Sequence, residues 1–240
     1  MDPHSADGHR HAGTETLVLE ELVLAKNDAL AQHNRHWLTA RGVVAVNLMS
    51  SPGSGKTTLL ERTIRELAAS TPVCVVEGDQ ETTFDADRIK AAGAPVLQIN
   101  TGAGCHLDAS MLSEALAKLD PPGGLVLIEN VGNLVCPALF DLGEDCRVVI
   151  MSVTEGADKP LKYPHIFASA DLVMLNKLDL LPYVDFDTGR FEHDVGLVNP
   201  AAPILQVSAT RGDGLRDWYD WLLARAAQLR GPAGSVAVDL

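Results

Sequence analysis

Short apolar, β-branched runs alternate along the chain with longer segments in which apolar residues recur at helical spacing. Apolar runs of this length, bounded by turn residues, are typical of buried strands, and the segments between most of them are typical of helices. This alternation predicts an α/β fold in which a mostly parallel, doubly wound sheet is flanked by helices. The predicted strands are 43–48, 73–76, 96–99, 125–128, 147–151, 172–175 and 204–207.

The two ends of the chain have a different character from its centre. Leu19, Leu22, Val23, Leu30 and Trp37 recur at helical spacing and predict an amphipathic helix that lies against the domain. A second stripe, made of Leu215, Trp218, Leu222 and Leu229, predicts a closing helix over 213–229. The predicted organisation is a flexible tail at 1–14, a helix at 15–40, one domain at 41–230 and a tail at 231–240.

The stretch 50–58 reads SSPGSGKTT and separates the first predicted strand from a helical segment. A strand–glycine loop–helix unit points successive N–H groups and a helix N-terminus at one place, which suits the oxygens of a phosphate. Such a phosphate loop is the motif of P-loop nucleoside triphosphatases, although Ser50 stands where glycine is usual. A chance Gly/Ser loop is disfavoured because the lysine, the threonine and both flanking elements are in place. The predicted phosphate-binding residues are Gly53, Ser54, Gly55, Lys56, Thr57 and Thr58.

A second motif, Asn176-Lys177-Leu178-Asp179, follows the predicted strand at 172–175. In open α/β sheets, ligands bind at this carboxyl edge. The Asp179 carboxylate can accept hydrogen bonds from N1–H and the exocyclic amine of guanine, and adenine offers neither donor there. The Lys177 stem can lie across the base while Asn176 braces the loop, and Ser208 and Ala209 follow the last strand nearby. The motif is weak alone, but together with the phosphate loop it predicts GTP and GDP as ligands.

Acidic residues end two further predicted strands, at 77–80 and at 129–133. With the Thr57 hydroxyl, Asp79 is expected to hold Mg²⁺, Glu129 is expected to hold Mg²⁺ or its water, and the Gly132 N–H is expected to reach the γ-phosphate. Each segment alone could equally be a set of solvated carboxylates at a strand end. The predicted catalytic set is Lys56, Thr57, Asp79, Glu129 and Gly132.

Cys105, His106 and Cys136 suggest a second chemistry, because thiolate and imidazole are ligands for borderline transition metals. One chain offers three such ligands here, so water or a two-fold partner would complete a four-coordinate site. The alternative interpretation is that Cys136 is a small buried hydrophobe and His106 a capping side chain, since neither CxxC nor HxxxH spacing is present.

Composition narrows the functional classes. A formal charge of −13 and a pI of about 4.9, without a basic cluster, argue against broad nucleic-acid or anionic-membrane surfaces. No apolar run approaches the roughly 20 residues that span a bilayer, and the N-terminus lacks the pattern of a secretory signal. We therefore expect a cytoplasmic protein whose four cysteines are thiols or metal ligands.

Several long motifs together resemble the HypB family, the GTPases that assist nickel incorporation into [NiFe] hydrogenase. They are the phosphate loop, 77–88, 104–108, 129–137 and 152–164, and the likeness extends from the helix containing Asn27 to the C-terminal helix. The resemblance implies a homodimeric GTPase of the class shared with the urease accessory GTPase, with Cys105, His106 and Cys136 as ligands for Ni²⁺ or Zn²⁺ near the dimer interface. It also implies the hydrogenase large subunit and other nickel-maturation proteins as partners.

The chain departs from many relatives at its N-terminus, which carries His4, His9 and His11 but neither a cysteine motif nor a long histidine run. A solvated tail is favoured there over a metal store. Because Cys136 follows Gly132 by four residues, we expect nucleotide and metal binding to be coupled through segment 129–137, with slow intrinsic GTP turnover.

Three other functions stay open from sequence. A urease-accessory GTPase would carry Cys-Pro-His where this chain has Cys136-Pro137-Ala138. A plain regulatory GTPase would not respond to substitution of Cys136, and a metal-storage protein with a structural nucleotide would not hydrolyse GTP.

Overall fold

The computed structural model describes residues 8–79, 84–102 and 104–230, with side-chain positions from Leu22 to Gln228 within those ranges. His4 and the side chains of His9, His11, Leu19 and Leu229 lie outside the described part, as do residues 1–7 and the predicted tail at 231–240.

The described residues form one sheet of seven strands in the order β3-β2-β4-β1-β5-β6-β7, and every neighbouring pair is parallel. The predicted fold class is therefore confirmed, and the sheet is fully parallel. The strands are β1 Val43–Ser50, β2 Val73–Asp79, β3 Val96–Asn100, β4 Gly124–Glu129, β5 Cys146–Ser152, β6 Leu172–Asn176 and β7 Ile204–Gln206.

Helices connect the strands and cover both faces of the sheet, which is why the central strands are buried along most of their length. Within the described ranges they are α1 Gly8–Ala40, α2 Lys56–Leu67, α3 Phe84–Ala92, α4 Ala109–Leu119, α5 Cys136–Leu139, α6 Lys159–Lys162, α7 Pro164–Ala168, α8 Thr188–Val198 and α9 Leu215–Arg230. A 3-10 helix spans Leu178–Tyr183.

The closing helix α9 packs as predicted, with Leu215, Trp218 and Leu222 buried against the core. The Trp218 indole donates to Thr63 Oγ1 on α2 at 2.9 Å, so the buried ring also has its polar atom paired.

The first helix begins at Gly8, inside the stretch predicted as a tail, and its packed face differs from the predicted apolar stripe. Leu22 and Val23 are 62% and 50% exposed, whereas Asn27, Ala31, Asn34 and Leu38 are buried. The prediction for Leu22 and Val23 is wrong because two asparagines take the place of apolar residues on that face. They can be buried because their amides are hydrogen-bonded to main-chain groups of other segments.

Candidate nucleotide and metal sites

The phosphate loop leaves β1 at Ser50 and enters α2 at Lys56. Gly55 has φ 98°, a conformation that favours glycine, and a Cβ there would lie 2.6 Å from the Asn176 amide nitrogen. The Lys56 ammonium donates to Ser50 Oγ at 2.7 Å, so the serine at the usual glycine position is a partner of the lysine. Burial lowers the pKa of Lys56, while Glu129 and other carboxylates nearby act in the opposite direction.

The residues predicted to recognise the base lie directly against this loop. Asn176 donates to the Ser54 carbonyl at 2.9 Å and accepts from the Ala209 N–H at 3.0 Å. Lys177, in the left-handed conformation with φ 63°, donates to the Gly53 carbonyl at 2.6 Å. One asparagine thus joins the phosphate loop to the loop after β7, and both motifs form one site.

The Asp179 carboxylate accepts from the Ser208 hydroxyl at 2.6 Å. This contact fixes one carboxylate oxygen and brings together two of the residues predicted to bind the base. Asp179 is partly exposed, and its second carboxylate oxygen is the one proposed to accept from the base.

Two buried carboxylates lie beneath the phosphate loop on neighbouring strands. Thr57 donates to Glu129 Oε1 at 2.8 Å, and Glu77 on β2 is in register with Glu129 on β4. The Oε2 atoms of both glutamates are buried without a hydrogen-bond partner in the described structure. Burial, and then the proximity of Glu129, raises the pKa of Glu77 to about 8; burial raises the pKa of Glu129 to about 7.

This set of oxygens fits a divalent cation. Mg²⁺ prefers carboxylate and hydroxyl oxygens, and two unpartnered buried oxygens beside a hydroxyl meet that preference. Thr57, Glu129 and Glu77 are therefore the side chains that would hold Mg²⁺ or its water. Asp79, the predicted ligand on β2, lines the same pocket.

The pocket over these residues has a volume of about 500 Å³, within the range of small-molecule sites. Gly132 forms part of its wall, and a Cβ at Gly132 would lie 3.0 Å from Pro52 Cα, so segment 129–132 rests against the phosphate loop. Thr58 and Arg88 also line it, joined by a hydrogen bond of 3.3 Å.

The three predicted metal ligands converge at a second position. Cys105 Sγ lies 2.8 Å from Cys136 Sγ and 3.7 Å from His106 Nδ1, and one ligand atom from each of the three residues lies within 4.8 Å of the others. Ligands about 2.3 Å from a tetrahedral ion are about 3.8 Å apart, so small side-chain movements would accommodate one. Among the described residues, these three form the group of three or more His, Cys, Asp or Glu side chains whose ligand atoms lie close enough together to hold one metal ion.

The surroundings of this triad favour the ligating form of the histidine. The His106 ring stacks on Phe140 with centroids 3.9 Å apart, and burial lowers the pKa of His106, which favours the neutral imidazole. The hydrogen bond with Cys105 is the main cause that raises the pKa of Cys136. The other two cysteines, Cys74 and Cys146, are buried thiols in the core.

The sequence did not single out Glu77, Arg88 or Asn130 as site residues, yet all three line the nucleotide pocket. Glu77 gave one signal, because it is a charged residue at the end of an apolar strand. Its pairing with Glu129 depends on the register between β2 and β4, which local sequence does not specify.

A phosphate loop, an Asn-Lys-x-Asp loop packed against it and a parallel sheet define a P-loop protein of the GTPase class. Residues 44–206 match the family described as CobW/HypB/UreG, nucleotide-binding domain. The chain belongs to this family and, within it, to the HypB branch, as its similarity to HypB proteins shows.

Three relatives support this assignment. The chain is 52% identical over 224 residues to the hydrogenase maturation factor HypB of Escherichia coli K12, covering 90% of this chain and 77% of that one. The crystal structure of the hydrogenase maturation factor HypB of Archaeoglobus fulgidus has a TM-score of 0.80 at 43% identity, covering 85% of this chain and 100% of that one. The structure of HypB from Helicobacter pylori in complex with nickel has a TM-score of 0.79 at 40% identity, covering 84% and 95%.

None of the helices in the described part of the chain combines the length and the hydrophobicity needed to cross a bilayer.

Proposed function

We propose that this protein is a GTP-hydrolysing metallochaperone that binds Ni²⁺ or Zn²⁺ and assists nickel insertion into [NiFe] hydrogenase. The observation that carries the proposal is the position of segment 129–137. Its first residue, Glu129, contacts Thr57 beside the phosphate loop, and Cys136 lies 2.8 Å from Cys105 in the metal-ligand triad.

The proposed reaction is transfer of the γ-phosphoryl group of GTP to water. The phosphate loop and Lys56 bind and orient the phosphates, while Asp179 and Lys177 hold the guanine. When bound, Mg²⁺ would neutralise charge that develops on the phosphate oxygens. Thr57, Glu129 and Glu77 are the residues proposed to hold it or its water, together with Asp79 in the same pocket. Gly132 is proposed to offer its N–H to the γ-phosphate.

Slow intrinsic turnover is part of the proposal. The described residues that line the pocket include neither a histidine nor a glutamine that could orient the attacking water. We therefore propose that the described part of the pocket acts through positioning and charge neutralisation.

The proposed coupling follows from the shared segment. Gly132 rests on Pro52, so a γ-phosphate that displaces it would also displace Cys136 four residues later. By reciprocity, a bound metal would change the affinity for nucleotide. Nucleotide state would then govern when nickel is held and when it passes on.

A homodimer is proposed because one chain supplies three ligands where four are usual. Val135 and Leu139, on either side of Cys136, are each 53% exposed and could be covered by a second copy. The proposed recipients of nickel are the hydrogenase large subunit and other maturation proteins, in keeping with the relatives named hydrogenase maturation factors. The relative in Helicobacter pylori is named a hydrogenase/urease maturation factor, so urease maturation is the second candidate.

The hydrolysis is tested by phosphate release from GTP in wild type and in Lys56→Ala. We expect a loss on the order of 100-fold or more, because removing one preorganised charged donor has an effect of that size. Lys118→Ala, at an exposed position on α4, is the control. A wild type without Mg²⁺-dependent turnover would favour a storage protein with a structural nucleotide.

The coupling is tested by measuring Ni²⁺ affinity with GDP and with a non-hydrolysable GTP analogue. We expect a difference of about 5-fold or more between the two states, the lower end of measured couplings. Equal Ni²⁺ affinity and stoichiometry in both nucleotide states would contradict the proposed coupling and would favour a GTPase without a nucleotide-dependent metal role. Sedimentation of the protein with GDP or with the GTP analogue, each with and without Ni²⁺, tests whether it forms the dimer.

A further inference from the structure

The proposed metal ligands lie on two loops, if Cys136, the first residue of α5, is counted with the loop that leads into it, and both loops contact the border of the nucleotide pocket. Segment 129–137 carries Cys136. The other loop follows β3 and carries Cys105 and His106, and near its start the Thr101 N–H donates to the Asp79 carbonyl at 2.9 Å.

A buried amide joins the two loops. Asn130 Oδ1 accepts from the Leu107 N–H at 3.2 Å and from the Val131 N–H at 2.9 Å. Asn130 directly follows Glu129, and Leu107 directly follows His106. The main chain next to one metal ligand is therefore hydrogen-bonded to the side chain next to a residue of the nucleotide pocket.

The Leu107 side chain makes an independent contact with the same pocket. Leu107 is fully buried, and a Cβ placed on Gly78 would lie 2.8 Å from Leu107 Cγ. Gly78 stands between Glu77 and Asp79 at the end of β2. Leu107 is thus held at two places on the border of the pocket, through its N–H by Asn130 and through its side chain by Gly78.

Asn130 is itself held by the sheet. Its Nδ2 donates to Asn47 Oδ1 at 3.2 Å, and Asn47 donates in turn to Glu144 Oε1 at 3.2 Å. Arg147 Nε donates to the same Glu144 oxygen at 2.6 Å. These partners lie on β1, on β5 and just before β5, so they fix the orientation of the Asn130 amide. If segment 129–132 shifts, Leu107 has to move with it, because otherwise the buried Leu107 N–H would lose its hydrogen-bond partner.

We propose that Asn130 is a positioning residue that transmits nucleotide state to Cys105 and His106, so that both halves of the metal site respond together. This inference rests on the proposed function and adds a second connection to the one through Cys136. If nucleotide state acted through Cys136 alone, it would move one metal ligand. With the second connection through Asn130, it would move all three.

The first test is the ratio of Ni²⁺ affinities with GDP and with a non-hydrolysable GTP analogue. In Asn130→Ala we expect this ratio to fall at least about threefold toward one, the size of effect that residues linking two sites produce. Asn199→Ala is the matched control, because its amide donates to the carbonyls of Phe167 and Ala170, which lie in neither site. The thiolate-to-nickel absorption band should depend less on nucleotide in Asn130→Ala than in wild type and should keep its full dependence in Asn199→Ala.

The outcomes separate the two proposals. If Asn130→Ala weakens nickel binding equally in both nucleotide states, Asn130 is only structural and the inference is wrong. A wild-type ratio of one refutes the proposed coupling itself.

Hydrogen exchange on the metal-free wild type serves as a second test that does not depend on a variant's folding. We expect the exchange of the Leu107 amide to change between the GDP and GTP-analogue states together with the amides of 129–137. A change confined to 129–137 would overturn the inference.

Discussion

The candidate nucleotide site and the proposed metal site of this protein differ in how much of each is supplied by one chain. The nucleotide site has a buried lysine, a pocket of about 500 Å³ and base-side residues hydrogen-bonded to the phosphate loop. The metal site has three half-buried ligands on two loops, with exposed apolar side chains beside one of them. The comparison indicates that the first site is preorganised, whereas the second would need a further ligand from solvent or from another molecule to hold a four-coordinate metal.

The sharpest test of a preorganised nucleotide site is Asp179→Asn. GTP binding should weaken on the order of 100-fold or more, because the charged acceptor is lost and the new amide NH2 faces a hydrogen-bond donor of guanine. Xanthine carries a carbonyl where guanine has its amine, so the variant's amide can donate to it and relative binding of xanthosine triphosphate should rise. Titration with fluorescent nucleotides measures both affinities.

Asp185→Asn is the control for this change, since Asp185 is exposed and lies just after the same 3-10 helix. Unchanged GTP affinity in Asp179→Asn would mean that the base is recognised elsewhere.

Cys136→Ala tests the metal site and should have a smaller effect. Loss of one ligand of three is expected to weaken Ni²⁺ binding on the order of tenfold or more, because each thiolate supplies a large share of the affinity for a borderline metal. Competition with a chromophoric chelator measures it. Cys74→Ala removes a buried core thiol and should leave Ni²⁺ affinity unchanged; equal losses in both variants would point to a general effect on the fold.

The smallest expected effect concerns the cation-free nucleotide pocket. The pKa of Glu77 is about 8 in the folded protein against an ordinary 4.5, so the folded state binds more protons between these values. The protonated Glu77 is tolerated at acid pH, and stability falls as the pH rises from about 4.5 to about 8, above which the loss is complete. Glu77→Gln should remove this loss and raise the free energy of unfolding at pH 8.5 relative to pH 5.5 by on the order of 1 kcal/mol or more.

Urea unfolding without nucleotide or Mg²⁺ at the two pH values measures this difference. Glu114→Gln, at an exposed position on α4, should leave the pH dependence of wild type unchanged. Parallel pH profiles for wild type and Glu77→Gln would show that Glu77 ionises normally.

The nucleotide site could be predicted from sequence because its motifs are contiguous and follow apolar strands. The phosphate loop, 176–179 and 208–209 each stand at the carboxyl end of a strand, and a parallel sheet brings those ends together. The three candidate metal ligands were predicted from sequence and they do converge, but this convergence depends on how two separate segments pack, which the sequence does not specify.

Two features were beyond sequence reasoning for different reasons. The role of Glu77 depends on register between β2 and β4. The packed face of α1 was predicted wrongly from its apolar stripe, because the polar residues Asn27 and Asn34 are buried on that face. Apolar periodicity cannot indicate a face on which buried positions are amides.

Those two asparagines have a consequence for the extent of the domain. Asn27 accepts from the Ala109 N–H and donates to the Asp141 carbonyl, and Asn34 donates to the carbonyls of Ala109 and Leu142. A chain trimmed to start at residue 41 would strip partners from main-chain groups at the start of α4 and just after Phe140, on which His106 rests. The first helix is accordingly an integral support of the segments proposed to bind nickel and not a part that can be removed without effect on them.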